Sequence, residues 1–62
     1  MDEKYRKIIT EKRVEKGYSQ YKLAKLVGIT PPFMHEIESG RKSPSVEVLI
    51  KICEALDIKL FG

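Results

Sequence analysis

One histidine and one cysteine limit the chemistry this chain can perform. His35 has no pair of cysteines beside it to complete a zinc set, and Cys53, being alone, closes no internal disulfide. Cys53 also falls on the inward face of an apolar helical stretch, where a thiol serves as a small core side chain. No carboxylate pair faces a plausible cleft and no nucleophile stands beside a base, so the sequence reads as neither an enzyme nor a metal or cofactor protein. No small-molecule ligand is evident either. The remaining polar groups recognise rather than react, and they gather in "GITPPFMHEIESGRK", Gly28 to Lys42. His35 and Glu36 supply an imidazole and a carboxylate. Arg41, Lys42 and Ser43 follow as a basic loop, suited to phosphate oxygens or simply to water. The front edge of the stretch is different: Pro31, Pro32 and Phe33 bring no side-chain hydrogen-bonding group.

The elements that position these residues must come from a small chain. Sixty-two residues, with 42% hydrophobic side chains, make one domain over 1–62. A domain of this size buries only about 60% of the surface its unfolded chain exposes. With no disulfide or metal, its core is apolar side chains alone. The net charge of +3 is spread along the chain and is a weak argument for nucleic acid by itself. The start, "MDEKYRKIIT", has no apolar signal core, and no run approaches membrane-spanning length. The expected setting is therefore the reducing cytoplasm, with no membrane partner.

Apolar spacing is helical throughout, and strict alternation never lasts. A first helix fits Asp2 to Lys16, with Asp2 as cap, Tyr5, Ile8 and Ile9 as the apolar edge, and Gly17 closing it in a left-handed conformation. Ser19 caps a second, two-turn helix holding Leu23, Ala24, Leu26 and Val27. Gly28 and Ile29 lead to Thr30, the cap of a third helix from Pro31 to Ser39 with Met34 and Ile37 inward, and Gly40 stops it. Ser45 caps a fourth, with Val46, Leu49, Ile52, Cys53 and Leu56 inward, ending near Asp57. Ile58, Leu60 and Phe61 form an apolar tail. This predicts an all-α, compact bundle of four to five short helices.

The second and third helices are the informative pair. A small residue at Ala24 suits a close crossing, and Gly28 suits a turn residue needing positive φ. Leu23, Val27, Ile29, Met34 and Ile37 would then fill the wedge between steeply crossing helices, over about residues 19–39. On "EKRVEKGYSQYKLAKLVGIT" and "MHEIESGRKSPSVEVLIKICEALDI", which cover almost the whole chain, the sequence resembles the phage-repressor and Cro-type helix-turn-helix family. That resemblance implies the lambda-repressor-like fold and a bacterial or phage transcriptional regulator. It also implies binding to operator double-stranded DNA, commonly as a homodimer, with the second motif helix in the major groove.

By position, the resemblance assigns Ser19 and Gln20 to the helix start that meets the phosphate backbone, with Lys22 and Lys25 flanking it. Ser19 serves as an ordinary N-cap in either case. Arg41, Lys42 and Ser43 match the second backbone-contacting loop. Pro31, Pro32, Phe33, His35 and Glu36 match the positions that address the groove. Arg13 and Glu38 match a structural pair in which a guanidinium fork holds a carboxylate and fixes the third helix to the first. Lys12 stands where leucine is common; its stem can lie on the core with the ammonium in water.

Pro31 is comfortable at the first helical position, although Pro32 after it pushes it toward extended backbone. Thr30 can then cap only the amide of Phe33. With two prolines outward, bidentate hydrogen bonding to adenine or guanine is out of reach at those positions. What remains is apolar contact with thymine methyls, Glu36 accepting from a cytosine amino group, and His35 donating to a guanine or a phosphate. Phe33 can instead cover the helix start, and Glu36 can be a solvated charge. The competing use of the same scaffold is a protein-interaction module docking through its Pro-Pro-Phe edge.

Overall fold

The computed structural model describes residues 3–59. Those residues form α1 (Glu3–Glu15), α2 (Gln20–Val27), α3 (Pro31–Ser39) and α4 (Val46–Leu56), with no strand among them. Asp2, Leu60 and Phe61 lie outside the described residues.

Three helices start on a hydroxyl. The side chains of Ser19, Thr30 and Ser45 accept from the amides of Lys22 (2.9 Å), Phe33 (3.3 Å) and Val48 (3.2 Å). Each thereby satisfies one amide that the helix itself leaves open. In α3 the prolines occupy the first two helical positions, so Pro32 does not hold Pro31 out of the helix. Phe33 carries the first amide left to cap.

All four helices end alike. A left-handed residue follows each one: Gly17, Gly28, Gly40 and Asp57, with φ between 56° and 85°. The next amide in each case reaches back five residues: Tyr18 to the Arg13 carbonyl, Ile29 to Ala24, Arg41 to Glu36 and Ile58 to Cys53. This is the Schellman arrangement, in which the residue after the left-handed one commonly packs its apolar side chain on the helix it has just left. Tyr18, Ile29 and Ile58 follow that rule and pack against the core. Arg41 breaks it and is exposed. Asp57 takes the left-handed position without being glycine, a conformation that costs other residues about 1–2 kcal/mol. Its carboxylate accepts from Lys16 Nζ at 2.7 Å, which holds the Asp57 carboxyl below its ordinary pKa and raises the Lys16 ammonium.

The core is one cluster of Ile9, Leu23, Ala24, Val27, Met34, Ile37, Ile52 and Leu56, with the Cys53 side chain also buried and its thiol pKa raised by desolvation. α2 packs on α3 and α4, and α1 closes over α3 and α4. Ala24 is wholly buried, as the close crossing requires. Several inward assignments need correction. Tyr5 and Val46 are exposed, because each lies in the first turn of its helix, outside the reach of the packed elements. Lys12 is exposed, with its ammonium 3.5 Å from Glu15. Of the apolar tail, Ile58 packs against the core.

Gly28 offers a clean measure of the turn. Its φ is 85°, and a β-carbon placed there meets nothing within 4 Å. Gly28→Ala is therefore expected to cost about 1–2 kcal/mol through backbone strain alone. Urea unfolding measures this directly, and an unchanged midpoint would show that the turn does not need its left-handed residue.

Candidate nucleic-acid interface

The outer side of α3 is built on a nearly buried carboxylate. Glu38, in the last turn of α3, is 4% exposed in its side chain. Its Oε1 accepts from Thr10 Oγ1 (3.0 Å), Arg13 Nε (3.2 Å) and Gln20 Nε2 (3.3 Å), and its Oε2 accepts from Arg13 Nε at 2.9 Å. Arg13 thus engages both oxygens through a single nitrogen, not through a two-nitrogen fork. Its Nη1 is turned away to donate to the Tyr18 carbonyl at 2.8 Å. The arrangement joins α1, the α1–α2 turn, the start of α2 and the end of α3 at one point. Charge-assisted hydrogen bonds of this kind are about twice as strong as neutral ones.

Gln20 extends the network outward. With its amide nitrogen on Glu38, its carbonyl oxygen lies 3.3 Å from His35 Nδ1. The first residue of α2 therefore sits against the exposed middle of α3. On the other side, Lys42 Nζ approaches Glu36 Oε1 at 3.5 Å and draws the basic loop alongside the same helix. The exposed surface of α3 is flanked by the α2 start and by the loop of Arg41, Lys42 and Ser43.

Within that surface, Pro32 and His35 are exposed, and Pro31, Phe33 and Glu36 are half-buried. Phe33 packs against the core, so only part of its ring faces outward. Ser19 and Lys22 are exposed at the α2 start, and Arg41, Lys42 and Ser43 are exposed in the loop. Lys22 lies 5.9 Å from the Tyr18 ring and Lys25 5.4 Å from the Tyr21 ring, each a cation over an aromatic face. Among the described residues no group of three His, Cys, Asp or Glu side chains could hold a metal ion, and no helix is long and apolar enough to cross a membrane.

Sequence reasoning missed Thr10 and the linking role of Gln20. Thr10 was open to discovery: it stands three residues before Arg13, on the same side of α1. Arg6 was missed as well. Its guanidinium lies against Gly40, where an added β-carbon would come within 2.6 Å of Cζ. Its Nε is buried without a hydrogen-bond partner among the described groups.

Two short helices joined through a left-handed glycine, the first bearing on the exposed face of the second, define a helix-turn-helix protein. The chain belongs to the helix-turn-helix family, whose model matches residues 9–62. It is 40% identical over 52 residues to the uncharacterised helix-turn-helix-type transcriptional regulator YgzD of Bacillus subtilis, covering 84% of this chain and 79% of that protein. It is 34% identical to the ImmF control region 10 kDa protein of Bacillus phage phi105, covering 86% of this chain and 59% of the relative. It is also 39% identical to multiprotein-bridging factor 1b of Arabidopsis thaliana, over 92% of this chain but only 40% of that protein. The chain thus spans most of the Bacillus regulator and well under half of the bridging factor. No solved structure matches it significantly.

Proposed function

We propose that this protein is a sequence-specific double-stranded DNA-binding transcriptional regulator of bacterial or phage type, acting in the cytoplasm as a repressor. α3 enters the major groove, with Pro31, Pro32, Phe33, His35 and Glu36 toward the bases. Ser19, Gln20 and Lys22 on one side, and Arg41, Lys42 and Ser43 on the other, meet phosphates. Two such domains act together on an operator. One observation carries the reading: the exposed face of α3 lies between the α2 start, through Gln20 and His35, and the basic loop, through Lys42 and Glu36. A duplex receiving α3 in its groove would therefore meet a helix N-terminus on one wall and cations on the other.

Arg41 strengthens the case for the loop. It takes the place that an apolar residue fills after the other three helices, and its side chain stands in solvent. That exchange forgoes packing on the core and gives a cation beside α3. Replacing Arg41 and Lys42 together with alanine is expected to weaken binding to all duplexes about equally. The slope of log affinity against log salt should fall by roughly one for each phosphate left without its cation. Fluorescence anisotropy over a salt series measures both, and an unchanged slope and affinity would reduce the loop to solvated surface.

A second reading has its own support. Relatives include proteins named multiprotein-bridging factors, and the helix-turn-helix scaffold can serve as a protein-interaction module. Salt-insensitive or absent binding to mixed-sequence duplexes would favour that use over DNA recognition.

A further inference from the structure

The hydrogen bonds that begin at Glu38 fix more than the position of α3. A carboxylate only accepts, so the Gln20 end facing Glu38 Oε1 is its amide nitrogen. The other end, 3.3 Å from His35 Nδ1, is then the amide oxygen, which also only accepts. Two acceptors cannot bond each other, so the proton of a neutral His35 ring resides on Nδ1. Its Nε2, on the far edge of an exposed ring, is left as a lone-pair acceptor. The rest of the surface has the same sign. Glu36 only accepts, and Pro31, Pro32 and Phe33 have no side-chain donor. A neutral ring held this way has no outward N–H with which to donate to a guanine or a phosphate.

We propose that Gln20, oriented by Glu38, holds His35 in its Nδ1–H form, so that α3 offers an acceptor-only face. Such a face selects an exocyclic amino group, adenine N6 or cytosine N4, and disfavours guanine at the base His35 meets. This rests on the DNA-binding reading above. Its chemistry follows from the groove code: adenine and cytosine present amino donors in the major groove, whereas guanine presents only the N7 and O6 acceptors. Gln20 is a positioning residue here, and His35 is the group that touches the base. Specificity is then set by a buried carboxylate one turn along α3 from His35, through an amide that cannot be turned around without losing both partners.

The tautomer is tested without DNA. Long-range 15N–1H correlation on the free protein at about pH 8, above the ordinary histidine range, is expected to show Nδ1 as the protonated nitrogen and Nε2 as the bare one. The reverse assignment, or rapid averaging between the two, overturns the proposal. Gln20→Ala, checked for folding by circular dichroism, is expected to lose the Nδ1–H form, and its retention removes Gln20 from the mechanism. The readout is tested on duplexes selected from a random-sequence pool by the wild-type protein and by His35→Ala. At the position whose preference relaxes in His35→Ala, the facing base is expected to be adenine or cytosine. Exchanging that base for purine or 2-pyrimidinone, which lack the amino group, should weaken wild-type binding about tenfold, the value of one hydrogen bond, and leave His35→Ala unaffected. A guanine at that position whose 7-deaza form weakens binding overturns the acceptor assignment. Failure to bind any duplex, with the Nδ1–H form intact, removes the DNA reading and the base-selecting half of this inference, while the tautomer assignment stands.

Discussion

Replacing Glu38 with alanine is expected to cost the domain on the order of 3 kcal/mol. The carboxylate is almost wholly buried and accepts from three side chains, and Arg13 beside it is only 14% exposed. Removing one partner of a buried ion pair costs about 3–5 kcal/mol, because the charge left behind has lost both water and its counter-charge. Arg13 can recover part of this by reaching solvent, which sets the expectation at the lower end. A chain of 62 residues has roughly 3–9 kcal/mol of total stability at about 0.05–0.15 kcal/mol per residue. Glu38→Ala thus leaves little, and thermal and urea unfolding should show a large fall in midpoint. Glu38→Gln, which keeps one accepting oxygen without the charge, should fall between the two. A Glu38→Ala midpoint equal to wild type would mean that the network is ornamental to the fold.

Most of the backbone was legible in the sequence because helix ends are written locally. Ser19, Thr30 and Ser45 cap by reaching three residues ahead, and Gly17, Gly28 and Gly40 stop helices through a conformation that glycine favours. Such features need no knowledge of the neighbouring elements. Periodicity likewise gave the inward positions Leu23, Met34, Ile37 and Ile52, all fully buried. It failed at Tyr5 and Val46, which have the right phase but stand where the neighbouring helices do not reach. It was silent at Ile58, whose packing depends on the chain turning back through a left-handed aspartate that no glycine announces.

The candidate site was legible as a set of positions but not as a connected structure. Family resemblance assigned Gln20 to phosphate and His35 to a base as separate contacts. Their link through Glu38 spans residues 18 and 15 apart in sequence, and exists only once α2 and α3 have crossed. Side-chain polarity alone could not decide which end of the Gln20 amide faces which partner. That choice is made by the placement of Glu38 beside the amide, a tertiary fact, and the acceptor role proposed for His35 depends on it.

On a full inverted-repeat site, with half-sites about 10 base pairs apart, the protein is expected to bind at least about 100-fold more tightly than on a half-site. The reason lies in how little one domain can read. α3 has nine residues, two of its groove positions are proline, and each mismatched base pair costs only about 1–3 kcal/mol. Pairing about a dyad doubles the surface that meets DNA and sets the two recognition helices one turn apart, about 34–36 Å. Two bodies of 30 × 23 × 19 Å lying side by side suit that spacing. The apolar surface near the C-terminal end that could form a seam is narrow. Ile58 is occupied by the core, and Leu60 and Phe61 lie outside the described residues. What α4 itself offers is Ile50, 41% exposed, with Val46 one turn before it at 75%. Two side chains fall well short of the roughly 1,000 Å² that a stable interface buries, so association in solution should be weak and become strong only where DNA holds both copies. Sedimentation should then show mostly monomer without DNA, while gel shifts on the full site show two protomers bound together. Ile50→Glu places like charges across the dyad, and should abolish the full-site advantage while leaving half-site affinity as it was. Equal affinity for both sites, with a single protomer on the full one, would count decisively against the dimer.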